Sequence, residues 1–156
     1  KIKFDDNAGS LYQKMILVGL PLLVEAIKEI MKKNYKMTFQ KENLSTYAKK
    51  VKKSETRIRW EENAKEINLK VRAFNPFPGA WTKIRGDDKR IKILKSEVVK
   101  KIVSQKNLVI GGVSDNLEVK CGNGSLKILE LQLEGKKALK NKEFLNGYKI
   151  KNLIFE

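Results

Sequence analysis

Leu20, Leu23, Val24, Ile27, Ile30 and Met31 recur at intervals of three and one, while Lys28, Glu29, Lys32 and Lys33 lie on the other side. The spacing predicts an amphipathic helix over about 20–33, with Pro21 in the first turn, where its missing N–H costs nothing. A shorter helical pattern in Leu11, Met15 and Val18 follows the turn-forming stretch DDNAG. Two short helices do not make a core alone, so residues 1–33 read as closing helices whose apolar faces require a partner. Residues 34–56 are polar and aperiodic and carry Lys49, Lys50, Lys52 and Lys53. They read as a linker, either a solvated charged segment or a strip that contacts phosphates.

A third region begins at RIRW and carries Ala64, Ile67, Val71 and Phe74 at helical intervals. In FNPFPG, each proline pushes the residue before it out of the α region, so the helix must stop at Phe74. Gly79 then allows a tight turn into a strand starting near Trp81. Beyond the corner the period changes to two. Ile91 and Ile93 alternate with Arg90 and Lys92, which makes residues 81–95 a hairpin with one basic face. Leu117, Val119 and Cys121 alternate in the next strand, and GNG closes a second hairpin.

The parity then slips. Leu126 and Ile128 share one face, yet Leu129, Leu131 and Leu133 take the other, which requires a bulge or bend near 128–129. Strands that bend while keeping one face buried suit a small closed barrel. NKEFLNG reads as a short helix from Asn141 to Gly147, followed by the apolar YKIKNLIF. The expected fold is therefore mainly β: a small barrel with a short helix, preceded by a linker and two helices.

Composition narrows the function. The formal charge of +16 is densest between residues 35 and 101. Such an excess favours polyanions, nucleic acid above all. The single cysteine, Cys121, forms no internal disulfide and reads as a small core residue, and with neither a membrane span nor a signal peptide in view a cytoplasmic location is expected. There is no histidine, nucleophile elbow, phosphate-cradling glycine loop or metal-ligand spacing. Asp5/Asp6, Asp87/Asp88 and Glu61/Glu62 fall in turns or first helical turns, where capping roles outweigh acid–base work. Catalytic, cofactor-binding and metal-binding residues are accordingly not expected in this chain.

Several stretches in order, DDNAGSLYQKM, TYAKKVKK, RIRW, VRAFNPFPGAWT, CGNGSLKILELQLEGKKAL and EFLNG, resemble the C-terminal half of the methionyl-tRNA formyltransferases. AFNPFPGAW also resembles related formyltetrahydrofolate-using enzymes. The resemblance implies an OB-type barrel over 57–156, an interdomain linker over 34–56, and the last helices of a Rossmann-like catalytic domain over 1–33. It implies a parent enzyme that moves a formyl group from 10-formyltetrahydrofolate to initiator methionyl-tRNA, with the family's catalytic Asn, His and Asp upstream of this chain. The remaining catalytic domain and the tRNA would be its partners, the protein being monomeric. NLVIGGV at 107–113 departs from the family's Pro-Gly lead-in to a strand.

On this resemblance Lys50 and Lys53 match linker lysines beside the tRNA acceptor arm, with Lys49 and Lys52 additional here. Arg90 and Lys92 on the basic hairpin face join them as tRNA-binding candidates. Lys136 and Lys137 match the family's GKK, where they either stabilise a loop or contact tRNA. Arg72 is expected in an ion pair, and Trp81 and Phe77 in core packing or corner filling rather than on bases. Two other functions remain open: a related formyltransferase or hydrolase with a small-molecule substrate, and a free-standing nucleic-acid-binding barrel.

Overall fold

A computed structural model describes residues 1–99, 108–148 and 152–156. The chain forms two units, Lys1–Val51 and Lys52–Glu156.

The first unit is one helix and an extended tail. Helix α1 runs Ala8–Met31, so the two helices expected from the sequence are continuous, with Pro21 inside rather than in a first turn. An interior proline costs a helix about 3 kcal/mol, and Gly19 just before it adds to that cost; the helix nonetheless runs unbroken through both. Asn7 caps the start. Its side chain accepts from Ser10 N–H at 2.8 Å while Ser10 Oγ accepts from Asn7 N–H at 3.0 Å. Asp6 accepts from Lys14 Nζ, Ser10 Oγ and Lys3 N–H, and these donors hold its carboxyl well below the usual range. No residue of α1 is buried; Leu20, Leu23, Val24 and Ile27 all stand about half exposed or more. The tail holds only a single 3-10 turn, Glu42–Leu44.

The second unit is mixed α/β. Helix α2, Ala64–Phe74, is capped by Asn63 and ends where the prolines require. Asn75–Pro76 and Phe77–Pro78 are both cis, and Gly79 takes φ +91° while donating to the Phe74 carbonyl at 2.9 Å. Strand β1, Ala80–Lys83, leaves the corner and pairs antiparallel with β2, Arg90–Val98. Strand β4, Ser125–Leu133, lies along the other side of β2. The far edge of β4 is shared: β3, Glu118–Lys120, takes its first half, and β5, Ala138–Lys140, its second. Helix α3, Asn141–Gly147, follows at once and buries Phe144.

The parity slip is where the sequence put it, and it has a counterpart. Ile93 faces Leu131, Lys95 faces Glu130 and Ser96 faces Ile128, so Leu94 is an extra residue in β2 and Leu129 an extra residue in β4. Leu126, Ile128 and Leu131 all reach the core. Leu129 does not: it is half-buried beside Lys95 and Glu130, because the bulge residue belongs to neither face.

The core joins Ile67 and Val71 of α2 to Ile91, Ile93, Val119, Leu126, Ile128 and Leu131 of the sheet. Trp60 and Phe155 stack in it with ring centres 5.8 Å apart. The five strands do not close into a continuous barrel. Single bridges join Ile84 to Phe155, Gly112 to Ile154, and Val113 to Val119. Gly111 makes the second approach possible, since a Cβ there would lie 2.1 Å from the Phe155 carbonyl oxygen. Asn107, which opens NLVIGGV, and residues 149–151 of the last apolar segment lie outside the described residues.

Candidate nucleic-acid interface

Alternation sorts the hairpin into two faces. Ala80 and Thr82 point into the core, so Trp81 and Lys83 point out. Trp81 is half-buried rather than a core residue, and Phe77 at the tip of the corner is 83% exposed instead of filling it. Directly opposed residues share a face, and the register gives one row across the outer surface: Arg57, Trp81, Lys92, Gln132 and Ala138. Arg90 is diagonal to Trp81, with its guanidinium carbon 4.5 Å from the indole centre; that of Arg57 lies at 5.6 Å. The Trp81 Nε1–H donates to the Lys53 carbonyl at 3.1 Å.

The sequence candidates divide among several places. Arg90, Lys92 and the backbone of Lys53 meet around Trp81. Lys52 and Lys53 are exposed at a 3-10 turn, Lys53–Thr56, whose start is fixed by the Glu55 carboxylate accepting from Lys52 N–H at 2.5 Å. Lys49 and Lys50 are also exposed but belong to the first unit. Lys136 and Lys137 lie on the turn from β4 to β5. The Lys136 ammonium donates to the Tyr148 hydroxyl at 2.9 Å and sits 5.4 Å from that ring, while its carbonyl accepts from Gln132 Nε2 at 2.9 Å. Lys136 thus ties its loop down. Lys137 is exposed. Arg72 is half-buried in the last turn of α2.

Arg57 was not singled out in the sequence. Its signal was available, as an exposed basic residue directly before the buried Ile58 and Trp60 of RIRW, but its neighbour Trp81 comes from 24 residues further on and only pairing reveals it.

Carboxylates near this face perform structural work. Asp88 accepts from Lys83 Nζ at 2.8 Å, which lowers the Asp88 pKa and pairs the two charges. Asp87 accepts from Lys89 N–H in the turn, and Glu62 pairs with Lys70. Cys121 is buried, and desolvation pushes its thiol up to about 12. Among the described residues no group of carboxylates, histidines and cysteines could hold a metal ion, and no helix is long and apolar enough to cross a membrane.

The second unit is thus a small antiparallel sheet with a helix packed on it, entered through a proline corner and basic on its outer face. Residues 50–149 match the family described as formyl transferase, C-terminal domain, and the chain belongs to that family. It is 37% identical over 150 residues to the methionyl-tRNA formyltransferase of Mesorhizobium japonicum, covering 94% of this chain and 47% of that protein. It is 39% identical over 152 residues to the one from Dictyoglomus turgidum, with 94% and 47% covered. The one from Bartonella quintana is 36% identical over 158 residues, with 98% and 50% covered. The chain therefore spans about half the length of these relatives. Among solved structures, a crystal structure of HypX from Aquifex aeolicus superposes with a TM-score of 0.66 at 22% identity, over 95% of this chain and 28% of that one. That likeness concerns the fold.

Proposed function

We propose that this chain is the tRNA-holding C-terminal portion of a methionyl-tRNA formyltransferase. The parent enzyme would formylate initiator methionyl-tRNA in the cytoplasm with 10-formyltetrahydrofolate as donor. The observation that carries the proposal is the row of basic residues and one aromatic across the outer face of the sheet, in a chain 32–39% identical to enzymes of that name. In this reading residues 1–33 close the Rossmann-like catalytic domain, with the single helix α1 in place of the two helices expected. The bare apolar face of α1 is what such helices present when the rest of that domain is not beside them. Residues 34–56 are the basic linker, and 57–156 are a barrel of the OB type. The three single bridges support the barrel, because they run from β1 through residues 154–155 and 112–113 to β3 and so complete a circuit around the sheet.

The division of labour follows from the side chains. Formyl transfer requires a group that deprotonates the attacking amine within hydrogen-bond reach, and the chain has no histidine to do it. Purified on its own, it should show no transfer from 10-formyltetrahydrofolate to methionyl-tRNA. It should still bind tRNA, with an affinity that falls steeply with salt as phosphates exchange condensed counterions for lysine and arginine.

The experiment is a charge swap at two places. Lys50→Glu with Lys53→Glu removes linker charge; Lys28→Glu with Lys32→Glu removes the same charge from α1. Binding through the linker and sheet predicts that the first pair weakens tRNA binding and flattens its salt dependence by about one to two logarithmic units per decade. The second pair should change little. Equal behaviour of the two would mean that net charge alone attracts tRNA.

A further inference from the structure

Trp81 stands on the outer face of β1 with two arginines against it. The guanidinium carbons of Arg57 and Arg90 lie 5.6 Å and 4.5 Å from its centre. Both are therefore no more than about 10 Å apart, close to the Debye length at physiological salt, so they feel each other's charge. Among the described residues neither guanidinium meets a carboxylate: Glu134 accepts from the Arg90 main-chain N–H, and the nearby Asp88 is taken by Lys83. The indole is fixed as well, by its N–H to the Lys53 carbonyl. Lys92, its cross-strand partner, adds a third positive charge.

Two unpaired cations on one immobilised ring are arranged for an anion. An arginine stacked on an aromatic has already lost much of its rotamer freedom, so less is lost when it binds. Its planar fork matches the two free oxygens of a phosphodiester. A base is a poorer occupant, because Arg90 already covers the ring. The row continues through Lys92 towards the β4–β5 turn, which suits a chain of anions better than a single one.

We infer that Arg57, Trp81 and Arg90 form a preorganised clamp for the RNA phosphodiester backbone, with the two guanidiniums taking phosphate oxygens and the indole acting as the platform that orients them. The clamp rests on the tRNA-holding proposal and adds to it a contact separate from the linker lysines. Trp81 is a positioning residue; the arginines make the contact.

The test uses the full 156-residue chain and a fluorescein-labelled, unacylated tRNA transcript, with binding followed by anisotropy over a potassium chloride series. Arg57→Lys with Arg90→Lys keeps the charge and removes the fork and the stacking. Trp81→Leu keeps both arginines and removes the platform. The double lysine variant should bind about five- to twentyfold more weakly at fixed salt, the size expected from losing two stacked guanidiniums. Its salt slope should stay that of the wild type, because charge is unchanged. Trp81→Leu should weaken binding by about threefold or more, again at unchanged slope. Bound tRNA should also shield Trp81 from acrylamide quenching. Should Trp81→Leu fail to fold, the double lysine variant decides. Wild-type affinity in the double lysine variant, alongside loss of binding in Lys50→Glu with Lys53→Glu, would overturn the clamp and leave the linker reading standing. Absence of tRNA binding by the wild type would overturn both.

Discussion

The side-chain amide of Asn141 donates to the main-chain carbonyl of Ile128 at 2.7 Å. Ile128 precedes the extra residue of β4, where the ladder is interrupted and a carbonyl needs another donor. The same solution appears across the sheet, where the Asn75 amide donates to the carbonyl of Leu94, the extra residue of β2. Each bulge is thus satisfied by an asparagine at the end of a helix: Asn141 opens α3 and Asn75 closes α2.

Asn141→Ala should therefore destabilise the second unit by about 1–2 kcal/mol, the cost of leaving a part-buried acceptor without its donor. Urea unfolding followed by tryptophan fluorescence reports on this unit alone, since Trp60 and Trp81 both lie in it. A midpoint equal to the wild type's would mean that water replaces the amide at no cost.

Thr82 offers a sharper case. It is fully buried, accepts from Trp60 Nε1–H at 2.9 Å and donates to the Glu156 carbonyl at 2.9 Å. Thr82→Val preserves shape and strands the buried Trp60 indole N–H, while the Glu156 carbonyl keeps the Lys83 N–H at 3.0 Å, so a loss of about 1–3 kcal/mol is expected. Thr82→Ser keeps the hydroxyl and should recover most of it. Equal stability of the valine and serine variants would mean that the Trp60 indole N–H needs no partner in the core.

Cys121 should resist alkylation by iodoacetamide at pH 8 in the folded protein and react once urea unfolds it. The sign of its pH effect follows from a pKa raised to about 12 by burial. The unfolded thiol ionises near 8.5 and the folded one does not, so this contribution to stability is complete below pH 8 and lost as pH rises from there towards 12. A Cys121→Ser variant unfolding with the same alkaline profile would assign the loss to other groups.

At the other end of the scale, Asp6 is held ionised by Lys14, Lys3 and Ser10. Its contribution is present above the ordinary carboxylate range and is lost as pH falls through its depressed value. Asp6→Asn should fray the first turn of α1 at pH 7, seen as lost carbonyl-carbon secondary shifts at residues 8–12 by NMR. In the wild type the Asp6 carboxyl carbon should titrate below the ordinary aspartate range. A titration within that range would remove the depressed value.

Much of this architecture was legible because local chemistry fixes it. FNPFPG stops a helix wherever it occurs, and the change of parity in LKILELQL demands a bulge whatever lies beside it. Asn141 and Gly147 bound α3 as the sequence reading placed them. The misreadings share a cause. Pro21 was assigned to a first turn because nothing local shows that a helix continues through it, and Trp81 to the core because aromatics usually seek it. Its outward face depends on Ala80 and Thr82 being the inward pair, which two small residues hardly advertise. The partner bulge at Leu94 left no trace in RIKILKSEV, since a compensating slip is visible only against the strand it faces. The Arg57–Trp81–Arg90 grouping is non-local in the same way.

The two extra residues also tie the lengths of β2 and β4 together. On either side of the irregularity the pairings return to a single register: Ile93 with Leu131 before it, Ser96 with Ile128 after it. Losing Leu94 or Leu129 alone would turn half of one strand inside out. Losing both would leave a straight ladder with Ile91, Ile93, Ile128 and Leu131 still facing inward. A deletion in one strand should therefore be repaired by a deletion in a segment more than thirty positions away, so the two sites constrain one another as a single unit of length.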